Sequence, residues 1–239
     1  MKRNILFGLV TLLAGSLLAA DSSPKEEVLA AAKKLADKDN YSWRSIVDFG
    51  PNSPFTPAPT DGKTEKNGYT SLSSTFNDNT SEGVAKDKKV VVKTEEGWKT
   101  ADEVTAGGGG GFDPGVFMAR RMQNLRLPAA DVEDLVSKVK ELKKEGDAYA
   151  GDLTEEGAKG LLTFGFGRRG GPPPTATDAK GSVKFWVKEG LVTKFESKVS
   201  GKRDFNGEER EIERTVTVEI KDVGTTKLSV PEEAKKKLS

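Results

Sequence analysis

The chain has 239 residues, with 38 lysines and arginines against 37 aspartates and glutamates, and it contains neither cysteine nor histidine. The missing thiol and imidazole exclude disulfides, cysteine nucleophiles, cysteine-ligated metals, and Ser-His-Asp or Cys-His catalysis. The formal net charge of +1 does not favour nucleic acid as a partner, because phosphate-binding domains carry a concentrated basic excess. The remaining possibilities are catalysis by carboxylate, Lys, Tyr or Ser/Lys groups, a metal bound by oxygen ligands, or a role without catalysis.

The first twenty residues are typical of a secretory signal. Two basic residues precede an apolar run over residues 5–18, and small residues end at Ala20. The run is shorter than the roughly 18–20 residues of a membrane-spanning helix, and an uncleaved anchor is the alternative. We therefore predict a signal peptide over residues 1–20 with cleavage near Ala20, a single domain over residues 21–239, and a periplasmic or secreted location.

One helical pattern and several strand patterns follow the signal. Ser23 can cap a helix over residues 24–39, in which apolar residues recur at helical spacing. Residues 41–49 alternate with a period of two, which predicts a strand, and the prolines of residues 50–62 predict a loop. Further strands are predicted over residues 69–76, 89–94 and 98–100, the last two as a hairpin.

The second half of the chain carries a helical pair and then long strand patterns. Five consecutive glycines at residues 107–111 precede the pair. Helical and alternating periodicities assign the elements that follow. In chain order these are helix 114–126, a second helix that starts near Pro128 and that Gly146 ends, strand 148–151, helix 153–162, a Gly/Pro-rich loop 165–177, strands 182–188, 191–199 and 211–220, and a final segment 225–230 before a Lys-rich tail.

These patterns predict an α+β fold, because strands with one apolar and one charged face need helices to cover them. Few helices are available, so we predict a curved antiparallel β-sheet, an incomplete β-barrel, with an N-terminal helix and a helical insertion as a lid. The predicted apolar residues lining the cavity are Tyr41, Trp43, Val47, Phe49, Val183, Phe185, Val187, Leu191, Phe195, Ile212, Val216 and Val218. The predicted lid residues are Phe117, Met118, Met122 and Leu125.

Glycine-rich segments and acidic clusters raise other functions. Residues 165–170 match G-x-G-x-x-G, but the prolines after them cannot open the helix that a dinucleotide site requires, so we interpret them as a loop. The glycines at 107–111 lack the Lys-Ser/Thr of a phosphate-binding loop and are interpreted as a hinge before the lid. Acidic clusters such as Asp131 and Asp134 suit a helix start, whereas a glycosidase needs two carboxyl groups facing each other across a cleft.

Several short motifs stand in a characteristic order along the chain. They are the signal, Tyr41-Ser42-Trp43 after the first helix, Gly97-Trp98, Gly181-Ser182-Val183-Lys184-Phe185-Trp186-Val187 leading to Lys194-Phe195, and the closing Val230-Pro231-Glu232-Glu233-Ala234. Their order and spacing resemble the LolA/LppX-like superfamily of periplasmic lipoprotein carriers. The resemblance implies an incomplete antiparallel barrel, lidded by helices, that holds the acyl chains of lipids or lipoproteins.

We therefore predict a non-catalytic periplasmic protein that binds or carries a lipid or the acyl chain of a lipoprotein. It is predicted to use no cofactor and no metal, and its predicted partners are a lipid or an acylated protein, with transient membrane contact and without nucleic acid. Two alternatives stay open: an exported scaffold or interaction protein with a filled core and no ligand, and a carboxylate hydrolase. A large apolar void reached by solvent would favour the carrier over the scaffold.

Overall fold

The computed structural model describes residues 22–51, 53–54, 56–76, 79–106, 113–163, 176–205 and 207–239. The predicted signal, the glycine run and nearly all of the predicted loop at 165–177 lie outside these ranges. The described strands are β1 (Asn40–Asp48), β2 (Thr60–Glu65), β3 (Tyr69–Phe76), β4 (Asn79–Lys86), β5 (Lys89–Thr94), β6 (Gly97–Thr100), β7 (Lys143–Glu145), β8 (Ala148–Asp152), β9 (Ala176–Lys188), β10 (Leu191–Phe205) and β11 (Glu208–Lys221). The described helices are α1 (Pro24–Ala36), α2 (Ala101–Ala106), α3 (Pro114–Gln123), α4 (Pro128–Ser137), α5 (Glu155–Thr163) and α6 (Glu232–Leu238).

The described strands form one antiparallel sheet in the order β6-β5-β4-β3-β2-β1-β11-β10-β9-β8-β7. The two end strands, β6 and β7, do not pair with each other, so the sheet is an open, incomplete barrel. Register shifts in β10, between Val192 and Lys194 and between Ser200 and Lys202, interrupt its ladder with β9. Such bulges bend and twist a strand. The predicted α+β fold is confirmed.

Strand register places alternating residues on a common inner face. Phe185 of β9 pairs with Phe195 of β10, and Phe195 pairs with Val218 of β11. Val218 pairs in turn with Ser45 of β1, and Ser45 pairs with Thr60 of β2. Because residues directly opposite each other share one face of a sheet, this row crosses five strands on the inner face.

Helices cover the inner face unevenly. Helix α1 starts with a capping box between Ser23 and Glu26 and buries Val28 and Leu35. It packs against β9, β10 and α4, while α5 packs against β9 and β10. Helix α3 packs against β4 and β5 at the other end of the sheet. The inner face is therefore filled around β9, and the region between the two groups of helices is left for a cavity.

A second, smaller apolar cluster lies where α6 packs on β4, β5 and β6. Val91 belongs to this cluster, whereas its neighbours Val90 and Val92 belong to the main core. Because successive residues of a strand point to opposite faces, α6 covers the outer face of these strands. The buried members of the cluster are Val84, Val91, Trp98, Val230, Ala234 and Leu238.

The structure adds elements that the sequence patterns did not predict. Strand β2 begins at Thr60 inside the predicted loop, and β4 and β7 were not predicted as strands. Helices α2 and α6 are also additional, the latter within the Lys-rich tail. Helix α4 ends at Ser137, so the later members of its predicted apolar stripe lie beyond it, and Val139 instead forms a β-bridge with Leu153. The helical spacing of apolar residues in the sequence continues to Leu142, although the backbone hydrogen bonding is no longer helical after Ser137.

Candidate ligand-binding cavity

A cavity of about 1680 Å³ lies between the inner face of the sheet and helices α3 and α4. This volume exceeds the roughly 300–1,000 Å³ of ordinary small-molecule sites. Its wall includes exposed residues such as Glu95, Glu96 and Asn124, so the cavity reaches solvent. Its size and position fit an extended ligand lying along the strands.

The sheet side of the cavity is mainly apolar. Val47 of β1 pairs with Val216 of β11, and the next inward position of β11, Val218, pairs with Phe195 of β10. All four line the cavity, as does Trp43. These five residues belong to the set predicted from strand alternation, and the register brings them together as one continuous apolar wall.

Small side chains in this wall leave the volume unfilled. Ser197 pairs with Val216, and Ser45 pairs with Val218, so each valine has a serine as a direct inner-face neighbour. Thr60 continues the row on β2, and all three small polar residues line the cavity. Leucine or phenylalanine at these positions would extend into the concavity and fill it.

Trp43 lies tightly against the sheet beneath it. It pairs with Gly62 of β2, and a Cβ atom added to Gly62 would lie 2.2 Å from the indole Cε2 and Cζ2 atoms. Only glycine leaves room for the ring in this arrangement. The ring of Tyr41 lies 5.8 Å from that of Trp43 between centroids, which is within the range of favourable aromatic pairs.

Three of the four predicted lid residues line the cavity. Phe117 of α3 is 54% exposed, Met118 of the same helix is buried, and Leu125 follows the helix. Met122 is not part of the cavity wall, because it packs on β4, where a Cβ atom at Gly83 would lie 2.7 Å from its Cγ. Met122 thus holds α3 against the sheet, and Phe117 stays accessible.

Of the twelve predicted lining residues, six line the cavity: the five of the apolar wall and Phe49. The other six lie in the main core or against it, and they are Tyr41, Val183, Phe185, Val187, Leu191 and Ile212. Phe185 is fully buried on β9, a strand that α1 and α5 cover. Burial also raises the pKa of Tyr41 to about 12. Alternation predicts the face of the sheet but not which helix covers it.

A bulge alters the face assignment at the start of β10. The sequence pattern places Leu191 on the same face as Phe195. The register instead pairs Val192 with Val187, and Phe195 with Phe185, across the shift between Val192 and Lys194. Val192 therefore shares the inner face and is fully buried, because one additional residue in a bulge inverts the alternation before it.

Two arginines line the cavity that the predicted set did not include. Arg214 lies between Ile212 and Val216 in the alternating inner positions of β11, and Arg121 lies on α3. A single arginine within an otherwise apolar face was a visible signal in the sequence. The position of Arg121 had no such signal, because it depends on how α3 packs against the sheet.

Two carboxylates of the cavity wall lie one helical turn apart on α4. Asp134 is 2.8 Å from Arg126 and also forms an ion pair with Lys138, and Asp131 is 3.7 Å from Arg126. Burial raises the pKa of Asp131 to about 7, although Arg126 acts in the opposite direction. Both carboxylates contact the same guanidinium group, and they do not face each other across the cavity.

The chain has no matching protein-family model, and no curated protein matches it. Among solved structures it is similar to the lipoprotein LppX of Mycobacterium tuberculosis, at 11% identity over 87% of this chain and 98% of that chain, with a TM-score of 0.47. It is also similar to LprF from Mycobacterium bovis, at 12% identity over 89% of this chain and 100% of that chain, with a TM-score of 0.43. A LolA superfamily protein from Nitrosomonas europaea is similar at 12% identity over 87% of this chain and 96% of that chain, with a TM-score of 0.35. These neighbours include the two protein groups, LolA and LppX, that the sequence resembles.

Two further observations concern the described residues alone. They contain no group of three or more acidic side chains placed to hold a metal ion. None of the described helices is long and apolar enough to cross a membrane.

Proposed function

We propose that the protein is an exported, non-catalytic binding protein that takes up the apolar chain of a lipid or of an acylated protein. The observation that carries this proposal is the cavity of about 1680 Å³ with an apolar wall formed by β1, β10 and β11. This wall is mainly apolar, so it suits a ligand recognised by its apolar surface.

Burial of the chain supplies the binding energy. Each methylene moved from water contributes about 0.8 kcal/mol, so about ten methylenes contribute on the order of 8 kcal/mol before costs. Loss of translational freedom and ordering of the chain offset a large part of this free energy. The net affinity is then moderate, which suits a carrier because a carrier must also release its ligand.

The scaffold alternative requires side chains to occupy the concavity. The small side chains of Ser45, Ser197 and Thr60 leave the concavity unfilled. An unfilled concavity favours a binding function over a scaffold. The hydrolase alternative requires two carboxyl groups across a cleft. Asp131 and Asp134 lie on one helix and contact Arg126, an arrangement that suits a structural ion pair.

The test is displacement of the uncharged fluorophore N-phenylnaphthylamine from the purified protein by dodecanol. The variant Val216→Trp fills the cavity from its wall and should lower the affinity for the probe at least tenfold. The matched control is Thr215→Trp, because Thr215 is the neighbouring residue of β11 and points to the outer face. The control should bind the probe as the wild type does.

The outcomes separate the two functions. Binding of the probe by the wild type and by Thr215→Trp, but not by Val216→Trp, supports the carrier. No binding by the wild-type protein at about 100 μM, which corresponds to a free energy weaker than about 5.5 kcal/mol, would contradict it. Equal binding by all three proteins would place the probe outside the cavity and would also contradict it.

A further inference from the structure

Four residues with small hydroxyl side chains stand opposite one another across β1 to β4. Ser45 of β1 pairs with Thr60 of β2. Thr60 pairs in turn with Ser74 of β3, and Ser74 pairs with Ser81 of β4. All four residues line the cavity, and we call this set the hydroxyl row. Because neighbouring strands are about 4.8 Å apart, the row extends over about 14 Å of the cavity wall.

Contacts at two glycines show which face of the sheet carries the hydroxyl row. Ser81 lies two residues from Gly83, where an added Cβ atom would lie 2.7 Å from the Cγ atom of Met122 on α3. Thr60 lies two residues from Gly62, on which the indole ring of β1 packs. Since residues two apart in a strand point to the same face, the row faces the cavity and its helices.

The hydroxyl row continues the apolar wall without a break. Val218 of β11 pairs with Ser45, and Phe195 of β10 pairs with Val218. Within one line of directly opposed residues, the inner face therefore changes at β1 from apolar to hydroxyl-bearing. A ligand that spans this change needs an apolar part over β10 and β11 and a polar part over β1 to β4.

Three hydroxyl groups of the row keep their hydrogen-bonding capacity for a ligand. Ser45 and Ser81 are half-buried, and their side chains form no hydrogen bond to another described residue. Thr60 is only 1% exposed, and its Oγ1 atom is buried with no hydrogen-bond partner in the part of the chain that the structure describes. Buried hydroxyl groups are normally paired, so an unpaired one in a cavity wall indicates a place where a ligand oxygen would be stabilised.

The fourth hydroxyl group, that of Ser74, acts as an acceptor towards a ligand. Its Oγ atom donates a hydrogen bond to the carbonyl oxygen of Pro59 at 3.0 Å. A hydroxyl group has one donor and two acceptor lone pairs, so Ser74 can still accept. By contrast, Thr64 and Thr70 of the same strands pair with each other, at 2.8 Å between their Oγ1 atoms. The hydroxyl row thus offers both donors and an acceptor.

We propose that the hydroxyl row binds the uncharged ester and hydroxyl groups of an acylglycerol-like amphiphile, whose chain lies against Val216 and Val218. This inference rests on the proposed function and names the ligand class as a neutral ester of a polyol. Such a head group has donors and acceptors, as the row has. An anionic head group has acceptors alone, and burying a charge beside hydroxyl groups costs more than burying a neutral group.

The experiment compares competitors that displace bound N-phenylnaphthylamine: glycerol monododecanoate, dodecanol, dodecyl phosphate and glycerol. The wild type should bind glycerol monododecanoate about tenfold more tightly than dodecanol, because each of several added hydrogen bonds makes a modest net contribution. Dodecyl phosphate should bind less tightly than the ester. Glycerol should not displace the probe, because it lacks the chain.

The decisive variant removes two hydroxyl groups without adding volume. Ser45→Ala combined with Ser81→Ala should abolish most of the preference for the ester and keep the affinity for dodecanol within about twofold. The matched control is Ser71→Ala combined with Ser73→Ala. Both control residues lie on the outer face of β3, where Ser71 pairs with Val84 of the outer cluster. The control should keep the full preference.

Thr60→Val supplies a readout that does not depend on the double variant. It replaces a buried, unpaired hydroxyl group by a methyl group of similar size, so the free protein should keep its urea midpoint or gain stability. Its preference for the ester should fall. A lowered midpoint would overturn the inference, because the hydroxyl group would then be satisfied within the protein.

The remaining outcomes distinguish this inference from the proposed function. Equal affinity of the wild type for glycerol monododecanoate and dodecanol would overturn the polar site and leave the apolar carrier standing. Tighter binding of dodecyl phosphate than of the ester would also overturn it, and so would equal loss of the preference in the outer-face control. Failure of all three dodecyl compounds to displace the probe would contradict the proposed function itself.

Discussion

The contact between Gly62 and Trp43 supplies a quantitative test of the cavity floor. In the variant Gly62→Ala the new Cβ would lie 2.2 Å from two atoms of the indole, so the ring must move by about 1 Å or more to reach van der Waals distance. The space into which it can move is the cavity. We therefore expect Gly62→Ala to lower both the stability of the protein and its affinity for an apolar probe.

The magnitude follows from two opposing contributions. Added volume at a packed site costs about 1–3 kcal/mol, whereas replacing glycine by alanine gains about 0.5–1 kcal/mol through the lower entropy of the unfolded chain. The net loss at Gly62 is about 1–2 kcal/mol. In equilibrium urea unfolding this corresponds to a midpoint lowered by on the order of 0.5 M.

Gly160→Ala is the matched control for this experiment. Gly160 is an exposed residue of α5, and an added Cβ atom would meet no other atom within 4 Å. The same chemical change should therefore stabilise the protein by about 0.5–1 kcal/mol and leave probe affinity unchanged. Gly62→Ala with a urea midpoint at or above that of the wild type would refute the described packing of Trp43.

Three other predictions concern charge, capping and the outer cluster. Asp131→Asn should leave the stability of the protein unchanged near pH 4 and should raise it above pH 7. The gain is about 1 kcal/mol at most, because the Asp131 side chain is 40% exposed and solvent screens its charge. In the folded protein the pKa of the Asp131 carboxyl group is raised to about 7, so its ionisation opposes folding as the pH rises. Thermal melts of both proteins from pH 4 to 8 check this, and a difference in stability that stays constant over this range would refute it. Ser23→Ala should cost about 1 kcal/mol in urea unfolding through loss of the α1 cap, and no change would refute the cap. Leu238→Ala should cost about 2 kcal/mol without changing probe affinity, and a change in affinity would contradict the separation of the two clusters.

The long strands could be predicted from the sequence because one residue in two is apolar. This holds for β1 and for β9, β10 and β11, where the alternation persists over seven or more residues. Strand β2 was not predicted, because its inward residues Thr60, Gly62 and Thr64 are small or polar and give no apolar alternation. Gly62 is inward because Trp43 of the neighbouring strand covers it. Cross-strand packing of this kind has no signature within the segment itself.

The candidate site could be predicted only in part for a related reason. Phe185 and Phe195 occupy equivalent positions in adjacent strands and pair with each other, yet only Phe195 lines the cavity. The difference arises from helices that are distant in the sequence. Arg214 was visible as a charge within an apolar face, whereas Arg121 reaches the same cavity only through the packing of α3.

The most direct test of the account is a crystal structure of the protein with a terminally brominated dodecanol. The anomalous signal of bromine locates the end of the chain independently of any interpretation of weak density. We predict one bromine site inside the cavity, against the wall formed by Trp43, Val216 and Val218. A bromine site on the outer face of the sheet, or a saturated crystal without bromine in the cavity, would contradict the central claim that the protein binds an apolar chain there.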